Sequence, residues 1–98
     1  MRKITEKACR AFENGKNFKL QNTEIKVSSD GNVSMYLWGH EIARKINGKV
    51  EINMQGYNTV TTRERLNGLS NVYLYQRNFA PVLNGQEISP CEWYEIGV

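Results

Sequence analysis

Beyond its first twenty residues the chain alternates apolar and polar side chains with a period of two, and short turns containing glycine close the runs. Thr23, Ile25 and Val27 alternate with Glu24, Lys26 and Ser28, and Val50, Ile52 and Met54 alternate with Glu51, Asn53 and Gln55. A period of two sends successive side chains to opposite faces of a sheet, so each run has one dry side and one wet side. Asp30-Gly31-Asn32, Asn47-Gly48 and Asn84-Gly85 separate the runs. Turns this short return the chain as an antiparallel neighbour. The pattern therefore demands an antiparallel sheet with one face covered.

The cover is helical. Ile4, Ala8, Ala11 and Phe12 recur at the helical period and predict a helix from about Thr5 to Asn14, with Thr5 as its cap, Ile4 and Cys9 as a staple and Gly15 as its stop. A second, shorter helix follows Gly56. Thr61-Thr62-Arg63-Glu64 matches a capping box, with Thr61 as cap and Glu64 reaching back, and Leu66 and Leu69 give the helix its apolar side. Between the helices, strands are expected at Thr23 to Ser28, Val33 to Trp38, His40 to Arg44 and Lys49 to Gln55. A strand from Val72 to Arg77, a hairpin about Asn84-Gly85 and a terminal strand from Cys91 to Ile96 follow. For Asn47-Gly48 a three-residue loop beginning at Ile46 is preferred, because it pairs Ile42 with Ile52 on the Val50, Ile52, Met54 face. The sum is an α+β fold, a single domain in the order α-β-β-β-α-β-(β), with both helices on one face of a mainly antiparallel sheet. A chain of 98 residues suits one domain with a modest core.

Composition narrows function mostly by exclusion. No apolar run approaches the ~18 residues that span a bilayer. The basic start at Met1-Arg2-Lys3 lacks the apolar stretch of a signal peptide, which points to the cytoplasm. Cys9 and Cys91, the only cysteines, are expected as free thiols there, and with His40 they are too few for a zinc site. The net charge of +3 belongs to the first twenty residues, where Lys3, Lys7 and Arg10 line up on one side of the first helix. Such a stripe can lie along a phosphate backbone or simply face water. His40 is a lone imidazole without a nucleophile motif, and the glycines stand singly rather than in a phosphate loop. No catalytic residue, metal or cofactor is expected.

Binding is better represented. If Val33, Met35 and Leu37 face the core, Tyr36 and Trp38 face away; if Val72 and Leu74 are inside, Tyr73 and Tyr75 are outside. An aromatic sheet face can stack bases or anchor a protein. The second helix adds Tyr57, Arg63 and Asn67 near its ends. An arginine pair at a helix start suggests an anion, but Arg63 and Arg65 lie about 200° apart around the helix and cannot form one clamp.

Tyr36-Leu37-Trp38-Gly39-His40-Glu41-Ile42-Ala43, then Gly56-Tyr57-Asn58-Thr59-Val60-Thr61-Thr62-Arg63-Glu64-Arg65-Leu66-Asn67-Gly68-Leu69, and later Leu83-Asn84-Gly85-Gln86-Glu87, resemble a family of short uncharacterised bacteriophage and plasmid proteins. The resemblance brings no activity. It implies a mobile-element origin and the cytoplasm of a bacterial host. It also implies an accessory role that occupies a host protein or ribonucleoprotein complex, a class that includes inhibitors of CRISPR and other defence systems. The alternative is a small nucleic-acid-binding protein using Lys3, Lys7 and Arg10 with the aromatic sheet face. No membrane or small-molecule substrate is indicated.

Overall fold

In the computed structural model, which describes residues 2–97, two helices and nine strands form an α+β fold. Met1 of the basic N-terminal start and Val98 at the end of the expected domain lie outside the described residues. The order is α1 (Lys3–Asn14), β1 (Phe18–Leu20), β2 (Thr23–Val27), β3 (Val33–Leu37), β4 (His40–Ile46), β5 (Lys49–Ile52), α2 (Val60–Leu66), β6 (Leu74–Arg77), β7 (Ala80–Leu83), β8 (Gln86–Glu87) and β9 (Tyr94–Glu95). The expected single sheet is in fact two. β1-β2-β3-β4-β5-β9 run side by side, and β6-β7-β8 form a separate antiparallel sheet. β1 and the β6–β7 hairpin have weak signals: one has three residues, and the other turns at Asn78-Phe79 without a glycine.

Alternation works as the sequence requires. Ile25, Val33, Met35, Leu37 and Ile52 are buried on the covered face, where α1 packs across β1 to β3 and α2 meets β4. The opposite face carries Tyr36 under the Lys26 ammonium (5.2 Å to the ring centroid) and Arg44 on Trp93 (3.8 Å). Gly15 ends α1 in the left-handed conformation at φ 66°, letting Lys16 N–H reach Ala11 O at 2.9 Å.

The β4–β5 hairpin corrects the expected register. Asn47-Gly48 forms a two-residue loop that pairs Ile46 with Lys49 and Ala43 with Ile52. The reason lies one strand away. Met35 pairs with Ala43 and Tyr36 with Glu41, so Ile42 is an extra residue bulged out of the β3–β4 ladder. The bulge lets both Ile42 and Ala43 turn into the core. The three-residue loop was expected to bring Ile42 inward, and the bulge does this instead.

Both helix starts also differ from expectation. α1 begins at Lys3, and Arg2 occupies its cap position with no side-chain bond. Thr5 is inside the helix and buried. α2 is capped by Thr59 rather than Thr61: its Oγ1 accepts from Thr62 N at 3.1 Å. Glu64 does not reach back, because it is engaged with α1.

Candidate functional site

The Gly56–Leu69 segment places its two arginines in opposite environments. Thr62, Arg65, Leu66 and Leu69 share the helical period and are all buried. Arg65 is only 1% exposed. Its Nε donates to Thr23 Oγ1 at 2.9 Å and its Nη1 to Thr5 Oγ1 at 2.7 Å, while Nη1 also bonds Glu64 Oε1. Glu64 in turn accepts from the Thr5 hydroxyl and, at 3.3 Å, from Arg2 N–H. A guanidinium out of water needs a carboxylate and further acceptors, and this one has both. The group ties α1, α2 and the start of β2 together. The helical spacing back from Leu66 and Leu69 marks position 65 as inward, a signal the aromatic and charge patterns obscure.

Close approach of the two helices is made possible by Gly68. A Cβ there would stand 2.5 Å from Cys9 Sγ and 2.8 Å from Thr5 Cγ2. Cys9 donates to Arg65 O at 3.2 Å. Burial, assisted by Glu13 and Glu64, pushes its thiol up from 9.0 to about 12. The folded value exceeds the unfolded one, so this contribution to stability is present below pH 9 and is lost as pH rises toward about 12. Cys91 is an exposed free thiol.

Asn67 is likewise used by the fold. Its side chain accepts from Leu74 N–H and donates to Leu74 O, both at 2.7 Å, and so covers part of the outer edge of β6. Lys3, Lys7 and Arg10 are exposed on α1. Because α1 lies on the covered face of the large sheet, they stand on the opposite side of that sheet from Tyr36. The expected aromatic face is also divided. Tyr36 stays on the open face of the large sheet, and Tyr73 and Tyr75 pair edge-to-face at 5.9 Å beside the small one. Trp38 leaves β3 altogether for the turn.

That turn belongs to a third group of residues at one end of the molecule. Trp38-Gly39 leads into His40, whose ring lies 4.8 Å from that of Tyr57. Tyr57 leads through Asn58 to Val60 in the first turn of α2. Asn58 Nδ2 donates to Phe79 O at 3.4 Å, and Arg63 Nη1 bonds Asn58 and, at 3.0 Å, Gln76 Oε1. Phe79 is 90% exposed, Val60 69% and Trp38 50%.

The backbone at this end is unusual. Four hairpins have two-residue loops with both φ angles positive, the type I′ geometry that favours Asn followed by Gly. Asn47-Gly48 and Asn84-Gly85 conform. Trp38 (φ 51°) stands where Asn is favoured, and Phe79 (φ 66°) where Gly is favoured. A bulky residue in the left-handed region costs roughly 1–2 kcal/mol. Phe79, 90% exposed, recovers almost none of that by burial, whereas Trp38 keeps half of its surface covered. An Asn-Phe pair is not a turn signal, so nothing in the local sequence marks Phe79.

A cleft of about 610 Å³ opens elsewhere, lined in part by Phe12, Val50, Leu69 and Ile96. None of the expected binding residues lines it. Among the described residues no group of three or more His, Cys, Asp or Glu is placed to hold a metal ion. Among those residues, too, no helix is long and apolar enough to cross a membrane.

A family model described as Kyanoviridae Gp96 protein matches residues 1–97. No curated protein and no solved structure is detectably similar to the chain.

Proposed function

The chain belongs to the Kyanoviridae Gp96 family of phage proteins, and from that premise we propose that it is a non-enzymatic accessory protein that docks on a host macromolecule through its Trp38–Phe79 end. The observation that carries this reading is Phe79 itself. An aromatic ring held in a strained turn and exposed to water lowers the stability of the isolated chain, and a partner that covers it offsets that cost. Trp38 repeats the same arrangement in the neighbouring turn. Aromatic anchors that become buried dominate protein interfaces.

The non-enzymatic part of this reading draws on the groups themselves. Cys9 is buried with its thiol pushed up to about 12, far from a nucleophile at neutral pH. His40 lies against Tyr57, and among the described residues no acid forms an ion pair with it. A nucleic-acid reading has less support, since the basic stripe of α1 and Tyr36 occupy opposite sides of the large sheet.

Tagged wild-type chain should recover a stoichiometric complex from host lysate, and Phe79→Ser should lose it while its circular dichroism is unchanged. An interference assay with a CRISPR effector, blocked by the wild type and restored by Phe79→Ser, identifies the partner as a defence system. Equal recovery by the wild type and Phe79→Ser refutes docking through this end.

A further inference from the structure

Charge is distributed as unevenly as strain. Between Ile52 and Gln86 the sequence contains one acidic residue, Glu64. Its carboxylate is turned toward α1, where Thr5, Arg2 N–H and Arg65 engage it. The same segment contains Arg63, Arg65 and Arg77, and Glu64 pairs with Arg65. Arg63 is held only by neutral oxygens, Asn58 O at 3.3 Å, Asn58 Oδ1 and Gln76 Oε1 at 3.0 Å. Arg77 is exposed at the end of β6, two residues before Phe79. Among the described residues no carboxylate is within ion-pair distance of either guanidinium.

We propose that this end of the molecule takes an acidic protein surface, with carboxylates on Arg63 and Arg77 and apolar side chains over Phe79 and Val60. The inference rests on the docking reading above and adds the chemistry of the partner. Arg63 is already fixed by three acceptors, so a carboxylate meeting it need not order a flexible side chain. Around an apolar centre, two unpaired guanidiniums favour a partner of opposite sign and repel one of the same sign. This argues against a second copy of the chain. A two-fold contact through this end would bring the same patch to itself, cation against cation, with Glu64 turned inward. It also favours protein over nucleic acid. Two cations beside an aliphatic Val60 neutralise few phosphates, whereas nucleic-acid affinity at physiological salt draws on many such contacts.

The test titrates the full-length chain by NMR with three probes: a random copolymer of glutamate and tyrosine, a copolymer of lysine and tyrosine, and oligo(dT). The acidic copolymer should shift the Trp38 indole and the Val60, Arg77 and Phe79 amides. Its affinity should fall about tenfold in the Arg63→Gln, Arg77→Gln double variant, as expected for the loss of close charge pairs. Substituting Lys3, Lys7 and Arg10 together by Gln should leave it within about twofold, a change of ~0.4 kcal/mol. Equal binding of the lysine copolymer overturns the acidic partner while leaving an apolar docking surface in place. Tighter binding of oligo(dT) at the same amides overturns it in favour of nucleic acid. Shifts by none of the three probes overturn it as well. Failure of the underlying docking reading is distinct, since there Phe79→Ser retains the lysate complex. If Arg63→Gln perturbs the Asn58–Gln76 contact, Arg77→Gln alone, at an exposed site, should still weaken binding by about threefold, or ~0.7 kcal/mol.

Discussion

α2 separates two regions that treat unfavourable groups in opposite ways. On its inner side, the buried Arg65 meets Glu64, Thr5 and Thr23, so a costly charge is fully partnered within the chain. At its outer end, Trp38 and Phe79 occupy left-handed turn positions, Arg63 and Arg77 have no carboxylate within ion-pair distance among the described residues, and Phe79 and half of Trp38 face water. The first arrangement specifies how α1, α2 and β2 meet. The second adds nothing to folding that Asn and Gly would not do better. A natural chain retains strain where it serves something other than stability, so the contrast supports the proposal of docking at the outer end.

The inner region can be broken most severely at Arg65. Arg65→Met should lower unfolding stability by about 3 kcal/mol, because it leaves Glu64 without its cation and two buried hydroxyls without their donor. Urea unfolding followed by circular dichroism measures this as a lower midpoint with an unchanged slope. A loss below ~1 kcal/mol would show that the cluster is replaceable by apolar packing, and the inner half of the comparison would fall.

Gly68→Ala attacks the same region without touching charge. The new methyl would press on Cys9 Sγ and Thr5 Cγ2 and force the helices apart, for a loss of about 2 kcal/mol. The Cys9 thiol, sheltered in the wild type, should then react with Ellman's reagent at a measurable rate alongside Cys91. Unchanged protection of Cys9 would mean that α1 and α2 accommodate the methyl without separating.

At the outer end the sign reverses. Phe79→Gly should raise stability by about 1 kcal/mol, the relief of the left-handed strain exceeding the entropy that glycine adds to the unfolded chain. The same variant should lose the host complex. A gain in folding coupled to a loss in binding is the signature the comparison requires. Destabilisation by Phe79→Gly would show instead that the ring packs on the fold.

These regions differ in how far the sequence discloses them. The alternation of Thr23 to Val27 and of Val33 to Leu37, the Asn-Gly turns and the apolar stripe of α1 are local patterns, and the elements they predict are present. The α2 cap is ambiguous because threonines stand at 59, 61 and 62, and only the inward demand of Arg65 on Glu64 decides among them. Thr59→Ala should accordingly cost about 1 kcal/mol, and Thr61→Ala less than ~0.5. Reversed values in urea unfolding would restore the capping box at Thr61. The Ile42 bulge and the division into two sheets were hidden for a different reason. Each depends on which strands become neighbours, and residue spacing within one strand does not encode that. Of the binding candidates, Trp38, Tyr57 and Arg63 do gather at one end, Asn67 is absorbed by Leu74, and Phe79 enters only through its backbone angle.

The finest separation of the two regions comes from exchanging turn residues. Trp38→Asn converts its loop to Asn-Gly, the pair already present at Asn47-Gly48 and Asn84-Gly85. It should stabilise the fold by about 0.5 kcal/mol, less than Phe79→Gly, because a half-exposed Trp38 keeps some contact that Asn gives up. The reciprocal Asn47→Trp should destabilise by a similar amount and leave binding untouched, since that loop lies at the other end of β4 from Trp38-Gly39. Opposite effects of similar size on stability, with an effect on binding from Trp38→Asn alone, separate turn chemistry from recognition. If both exchanges weaken the host complex, rigidity of the whole β4 hairpin pair governs binding and the assignment to the Trp38–Phe79 end fails.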